Sequence, residues 1–181
     1  MKNNAQELLE KYIVGKDLDR HKILEEIYCL NAIVSIEIEA DNINFPSEIH
    51  GNVEIAKIIS ADFNRKYDLV KTYYLSNDFP EIKNLIILKQ NWLVIMKEKA
   101  NGNIRVGTGY YNWEFENQNQ SELKIKKHKI FIYSMLDLPS ESIVLLHDLQ
   151  NTINYPWEEK EKVVQVLQPF EDLKPIYNYL K

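Results

Sequence analysis

Tyr111, Trp113 and Phe115 alternate with Asn112, Glu114 and Glu116. A strand through them therefore turns its three aromatic rings to one face. His128 stands in register with Ile130 and Ile132, which sends its imidazole to an apolar side, where a neutral ring has the reach of a general base. Tyr12 and Tyr28 fall on apolar helical faces and add two hydroxyls. Such a set suits acid–base chemistry on a ring or carbonyl compound, of isomerase, cyclase or dehydratase type. His128 would be the base, Tyr111 or Tyr12 would donate to the oxyanion, and no cofactor would be needed. Each residue also has a plainer explanation. Buried tyrosines often only satisfy a carbonyl or a water, aromatic rings fill narrowing cores, and the flanking Lys126, Lys127 and Lys129 suit a strand end that reaches solvent.

Composition limits the alternatives. The 181 residues suit one domain, and 45% hydrophobic residues are enough for a core. A net charge of −5, with only three Arg (Arg20, Arg65, Arg105) among 22 basic residues, argues against a nucleic-acid surface. The apolar runs Leu85 to Leu88 and Trp92 to Met96 are too short to cross a membrane, and the N-terminus has no apolar signal core. A lone Cys29 excludes an internal disulfide, and the expected location is cytoplasmic. Four scattered His show no zinc spacing, and Gly107-Thr108-Gly109 reads as a bend or bulge within a strand.

The elements that must position these residues follow from periodicity. Ala5, Leu8, Leu9, Tyr12 and Ile13 predict a helix over 3–15 that Gly15 stops, with Asp17 capping a second helix that carries Leu24, Ile27 and Tyr28. Alternation from Asn31 to Glu39 predicts a strand with Ala32, Val34, Ile36 and Ile38 inward and Glu37 and Glu39 in solvent. Asn52 is expected to cap a third helix with Ile55, Ile58, Ile59 and Phe63 inward, and His50 to order the loop before it. Strands are then expected over 69–76, 85–99, 104–116 and 123–135. Asn101-Gly102 marks a hairpin with both residues at positive φ, and residues 116–120 a polar loop. Residues 139–154 and 158–168 read as helices, with Ile143, Leu146, Leu149 and Ile153 on one stripe.

Helices first and a meander afterwards make an α+β fold. The run from Tyr12 through Tyr28 to Ile36, followed by His50-Gly51 and the hairpin from Asn101-Gly102 to Phe115, resembles the NTF2-like superfamily, which includes ketosteroid isomerases and SnoaL-like cyclases. The resemblance covers about half of the chain. It implies an NTF2-like cone of three N-terminal helices on a curved antiparallel sheet, over residues 1–138. Residues 139–181 would be a C-terminal helical extension packed on the same domain, near the open end and anchored by Trp157. It also implies a homodimer through the sheet. Ketosteroid isomerases shuttle a proton with an Asp and hold the enolate oxygen with a Tyr and a protonated Asp. Tyr12 falls on that Tyr and Tyr28 on a supporting Tyr. Ile36 falls on the base, Tyr111 on the protonated Asp, and Ile59 on a third network Tyr. Isoleucine takes no proton, so the isomerase mechanism is absent.

Two readings remain. In the first, a SnoaL-like domain binds a small apolar or aromatic ligand through Tyr12, Tyr28, Ile36, Tyr111 and Trp113, with His128 and Tyr111 as catalytic candidates. In the second, the cone is filled and the domain is a structural or interaction module. A cavity of several hundred Å³ beside Tyr111 would favour the first.

Overall fold

The computed structural model describes residues 2–119 and 122–181. Helices α1 (Lys2–Asp17) and α2 (His21–Ile27) lead into strand β1 (Tyr28–Ile38). A short β2 (Glu48–His50) precedes one continuous helical stretch, formed by α3 (Asn52–Ala56), a π-helical segment (Lys57–Asp62) and α4 (Phe63–Lys66). The meander is β3 (Tyr67–Leu75), β4 (Ile86–Glu98), β5 (Ile104–Gln118) and β6 (Glu122–Leu138). The tail holds α5 (Ile143–Thr152), β7 (Trp157–Glu158), α6 (Lys160–Leu167) and α7 (Lys174–Leu180).

All strands join one sheet in the order β2-β1-β6-β5-β4-β3-β7. Pairing is antiparallel except at β1–β6 and β3–β7, which are parallel. The β1–β6 pair departs from a pure meander because α1 and α2 deliver β1 to the far edge of β6. Register shifts at Asp68/Lys71, Ile87/Gln90 and Thr108/Gly109 break the ladders, and such bulges bend strands and increase their twist. The bend expected at Gly107-Thr108-Gly109 is therefore present. A Cβ on Gly109 would overlap the Phe131 carbonyl oxygen, so only glycine allows β5 and β6 to close up there.

Several local expectations are corrected. Gly15 does not stop α1, which continues to Asp17. Its missing side chain instead lets Leu24 of α2 approach, since a Cβ there would sit 2.6 Å from Leu24 Cδ2. Asp17 caps nothing and is buried against β3, where its carboxylate accepts from the Thr72 backbone N–H at 2.6 Å. Tyr28 belongs to the first residue of β1, not to α2. Asn52 does not cap α3. Gly51 holds that position at φ 83°, and the Asn52 amide donates to the Glu25 carbonyl at 2.8 Å. At the β4–β5 hairpin only Gly102, φ 78°, has positive φ, because the loop spans four residues between Glu98 and Asn103. Strand β5 runs on to Gln118, with Asn119 turning at φ 51°, so most of the expected polar loop is strand; Gln120 lies outside the described residues.

Two apolar cores lie on opposite faces of the sheet. The inner one packs α1, α2, α3 and the π segment on Val34, Ile36, Trp92, Tyr111, Trp113 and Ile130. The outer one packs the tail, through Leu146, Leu149, Ile153, Val163, Leu167 and Ile176, on Tyr73, Leu93, Ile95, Ile104 and Val106. The tail does not close the open end of the inner face, as the sequence suggested. The run Trp92 to Met96 explains why: Trp92, Val94 and Met96 point inward, so Leu93 and Ile95 need cover on the other side. Only the segment around β7 reaches round the sheet edge. There Trp157 Nε1 donates to Glu10 at 2.9 Å and the ring packs on Tyr74, so Trp157 does anchor the tail, but to α1.

Candidate functional site

The aromatic residues singled out in the sequence converge on the inner face. Trp113 and His128 are cross-strand partners on β5 and β6, and their rings stack at 3.7 Å and 13°. Tyr12 from α1 stands edge-on to Tyr111, Trp113 and His128 at 5.6, 5.1 and 5.0 Å. Tyr28 begins β1, and its hydroxyl meets His128 Nδ1 at 2.7 Å. All five are buried. They form the apex of the inner core, in ring-to-ring contact with one another.

Burial sets their protonation. It pushes the Tyr12, Tyr28 and Tyr111 hydroxyls up from their usual range, so each stays a neutral donor. Burial drives His128 well below the ordinary histidine value, so the ring is neutral and holds Tyr28 as a hydrogen-bond partner. The lysines beside it point outward, Lys126, Lys127 and Lys129 pairing with Glu116, Glu114 and Glu37 at 2.8, 3.2 and 2.7 Å. A stability consequence follows. Below about pH 6.5 the unfolded chain takes up a proton that native His128 refuses, so stability falls as pH drops through that value, by at most about 1.4 kcal/mol per unit. Urea unfolding between about pH 7.5 and 5.5 is expected to show this slope in the wild type, and a smaller one in His128→Phe.

Below the apex lies a small pocket of about 40 Å³, lined by Tyr12, Lys16, Ile36, Ile59, Trp92, Met96, Tyr111 and Met135, with Ile43, Phe45 and Phe63 also in its wall. Tyr12, Ile36 and Tyr111 thus face it, while Tyr28, Trp113 and His128 do not line it. Trp92 Nε1 is buried with no hydrogen-bond partner among the described residues, and the Tyr12 hydroxyl, which makes no hydrogen bond of ordinary geometry there, has the Tyr111 hydroxyl as its polar neighbour. Next to it is a larger cleft of about 590 Å³, which Ile43, Phe45 and Phe63 also line. Phe45 stacks on Phe63 at 6.5 Å. Ile43 and Phe45 belong to the β1–β2 connection, which has no regular structure and is latched at Asn42. Its amide donates to the Met135 carbonyl at 2.6 Å, and its carbonyl accepts from Arg105.

The sequence reading missed Lys16, Trp92, Ile43 and Phe45. Lys16 follows Tyr12 by four residues, so the two share a helical face, and Trp92 alternates inward with Val94 and Met96. Ile43 and Phe45 carried no such signal, because a loop side chain has no period. Among the described residues no group of His, Cys, Asp and Glu converges to hold a metal ion. No helix is long and apolar enough to cross a membrane.

No protein-family model and no curated protein matches the sequence. Solved structures do match the fold. A nuclear transport factor 2-like superfamily protein from Salmonella enterica aligns with TM-score 0.58 at 12% identity, over 71% of this chain and 87% of that one. The chain has the NTF2-like fold. A hexachlorocyclohexane dehydrochlorinase from Novosphingobium barchaimii aligns on the same NTF2-like cone with TM-score 0.59 at 12% identity, over 75% and 88% of the two chains. A scytalone dehydratase-like protein from Novosphingobium aromaticivorans gives 0.55 at 12%, over 75% and 85%. The expected α+β cone, with helices over a curved sheet, is therefore the architecture of this chain, and at these identities the likeness carries the fold alone.

Proposed function

We propose that this NTF2-like cone is a binding domain for a small, largely apolar molecule, held between the aromatic apex and the Ile43–Phe45 loop. One observation carries the reading. The side chains Ile43, Phe45 and Phe63 line both the small inner pocket and the outer cleft, so Phe63 of the core and the two loop residues packed against it form a partition between two spaces. Two of them ride on a loop whose hydrogen bonds lie at Glu39, Asn42 and Ser47 rather than at residues 43–45, and loop segments of this kind open at low cost. With the loop lifted, a ligand would lie against Ile36, Met96 and Tyr111, with Tyr12 and Trp92 as hydrogen-bond donors.

Catalysis is not part of this proposal. The position facing the cavity where a proton acceptor would act is Ile36, and the buried imidazole of His128 lies behind the Tyr12 and Tyr111 rings with Nδ1 already engaged. A dehydratase or isomerase reading through His128 and Tyr111 would need the apex itself to open. The alternative of a filled cone rests on a specific fact: about 40 Å³ holds little more than water. Under that alternative the domain works through its surface. A second copy would then dock on what the tail leaves free of the outer sheet, chiefly β1 and β6.

Titration with a neutral aromatic such as toluene, followed by tryptophan fluorescence, separates the two. Saturable change with roughly millimolar or tighter affinity is expected, and Phe45→Ala is expected to bind severalfold more tightly by opening the partition. No saturable change in either protein would favour the filled cone.

A further inference from the structure

Lys16 is, among the described residues, the one charged side chain on the wall of this small pocket, and it is about nine-tenths buried. A buried ammonium is costly unless its donors are used, so each of its bonds has to be traced. Nζ donates to Asp17 Oδ1 at 3.1 Å and to Thr72 Oγ1 at 2.8 Å. The third N–H has no acceptor among the described residues, and the ammonium lies 4.5 Å from the centroid of the Phe63 ring, which belongs to the partition. Asp17, by contrast, is saturated. It also accepts from the Thr72 backbone N–H at 2.6 Å, the Thr72 hydroxyl at 2.8 Å and the Tyr155 hydroxyl at 3.2 Å. Its negative charge is satisfied by these groups, and the spare donor remains on the cation.

The fold holds Lys16 in place from the backbone side as well. The π-helical turn and the start of α4 bring Ser60 and Asn64 onto the end of α1, where they donate to the Gly15 and Lys16 carbonyls at 2.7 and 2.6 Å. π-helical turns are rare and frequent at functional sites. One helical turn before Lys16, the Tyr12 hydroxyl is buried on the same cavity wall, beside the Tyr111 hydroxyl. A cation with a free N–H and a neutral hydroxyl thus line one largely apolar space. They match the two oxygens of a carboxylate.

Resting on the binding reading above, we infer that the ligand class is a small amphipathic acid whose carboxylate meets Lys16 and Tyr12 and whose apolar body lies along Ile36, Met96 and Tyr111. The carboxylate reaches the ammonium beside the Phe63 ring when the Ile43–Phe45 loop lifts. Neutral ligands of the same shape enter but leave the Lys16 donor unused.

The test is a matched pair, phenylacetate and methyl phenylacetate, titrated by calorimetry into the full chain. The acid is expected to bind the wild type roughly tenfold or more tightly than the ester, as a charge-assisted hydrogen bond requires. Lys16→Met is expected to bring the ratio to about one, and Lys16→Arg to preserve a preference for the acid. Equal binding of acid and ester by the wild type would overturn the inference and leave the binding reading intact. Binding of neither would overturn both. If Lys16→Met fails to fold, the wild-type ratio and the Lys16→Arg variant still decide.

Discussion

A chain ending at Leu138 is expected to be insoluble or to melt far below the full-length protein. The tail does not sit beside the cone as an appendage. It covers the outer faces of β3, β4 and the start of β5, where Tyr73, Leu93, Ile95, Ile104 and Val106 would otherwise meet water. Burying Leu146, Leu149 and Ile153 alone is worth roughly 4–9 kcal/mol before entropy is subtracted, against a usual net stability of about 5–15 kcal/mol. The loss would reach the site as well. Tyr155 donates to Asp17 at 3.2 Å and Trp157 to Glu10 at 2.9 Å, so the tail steadies the helix that carries Tyr12 and Lys16. Expression of residues 1–138, with a thermal melt of whatever remains soluble, measures this. A soluble, monomeric fragment that melts with the full chain would show that the tail is a separate interaction element.

The second large effect is an absence of activity. With a ketosteroid whose double bond is not conjugated, turnover is expected to stay at the background of a base-free protein. A positioned base supplies roughly 10²–10⁴ in rate. The structure places Ile36 on β1, buried and facing the cavity, where resemblance to the isomerases would set the proton shuttle. The space available adds a second barrier, since about 40 Å³ is far below a steroid's volume even before the partition is considered. Ile36→Asp would bury a carboxylate beside Ile130 and Ile132, and is expected to cost stability without restoring turnover. Isomerisation by the wild type at rates well above that background would refute the placement of Ile36.

Much of this architecture was legible because it repeats. The alternation of Tyr111, Trp113 and Phe115 with polar neighbours gave the inner face of β5, and His128 followed Ile130 and Ile132 inward on β6. What the sequence could not show was how far the apex would close. Whether Trp113 and His128 flank a ligand or stack on each other depends on cross-strand register, and the register pairs them directly. The parallel seat of β1 against β6 was equally hidden, because strand patterning says nothing about the neighbour's direction. Asp17 misled for a physical reason: a helix cap and a buried carboxylate begin from the same residue type, and only the position of Thr72 on β3 decides between them. Lys16 carried no signal of burial in the sequence. Its burial comes from the π-helical turn packing on α1, which is a tertiary event.

The central claim is that the space between the apex and the Ile43–Phe45 loop accepts a ligand. Met96 and Met135 both line it, so their methyl groups report on it directly. Carbon-13 methyl NMR of the full chain during titration with methyl phenylacetate is the most direct measurement. Saturable shifts of the Met96 and Met135 methyl resonances, with ligand-to-methyl nuclear Overhauser effects, are the expected result. Unmoved Met96 and Met135 resonances at saturating ligand would contradict the claim and establish the cone as a filled core.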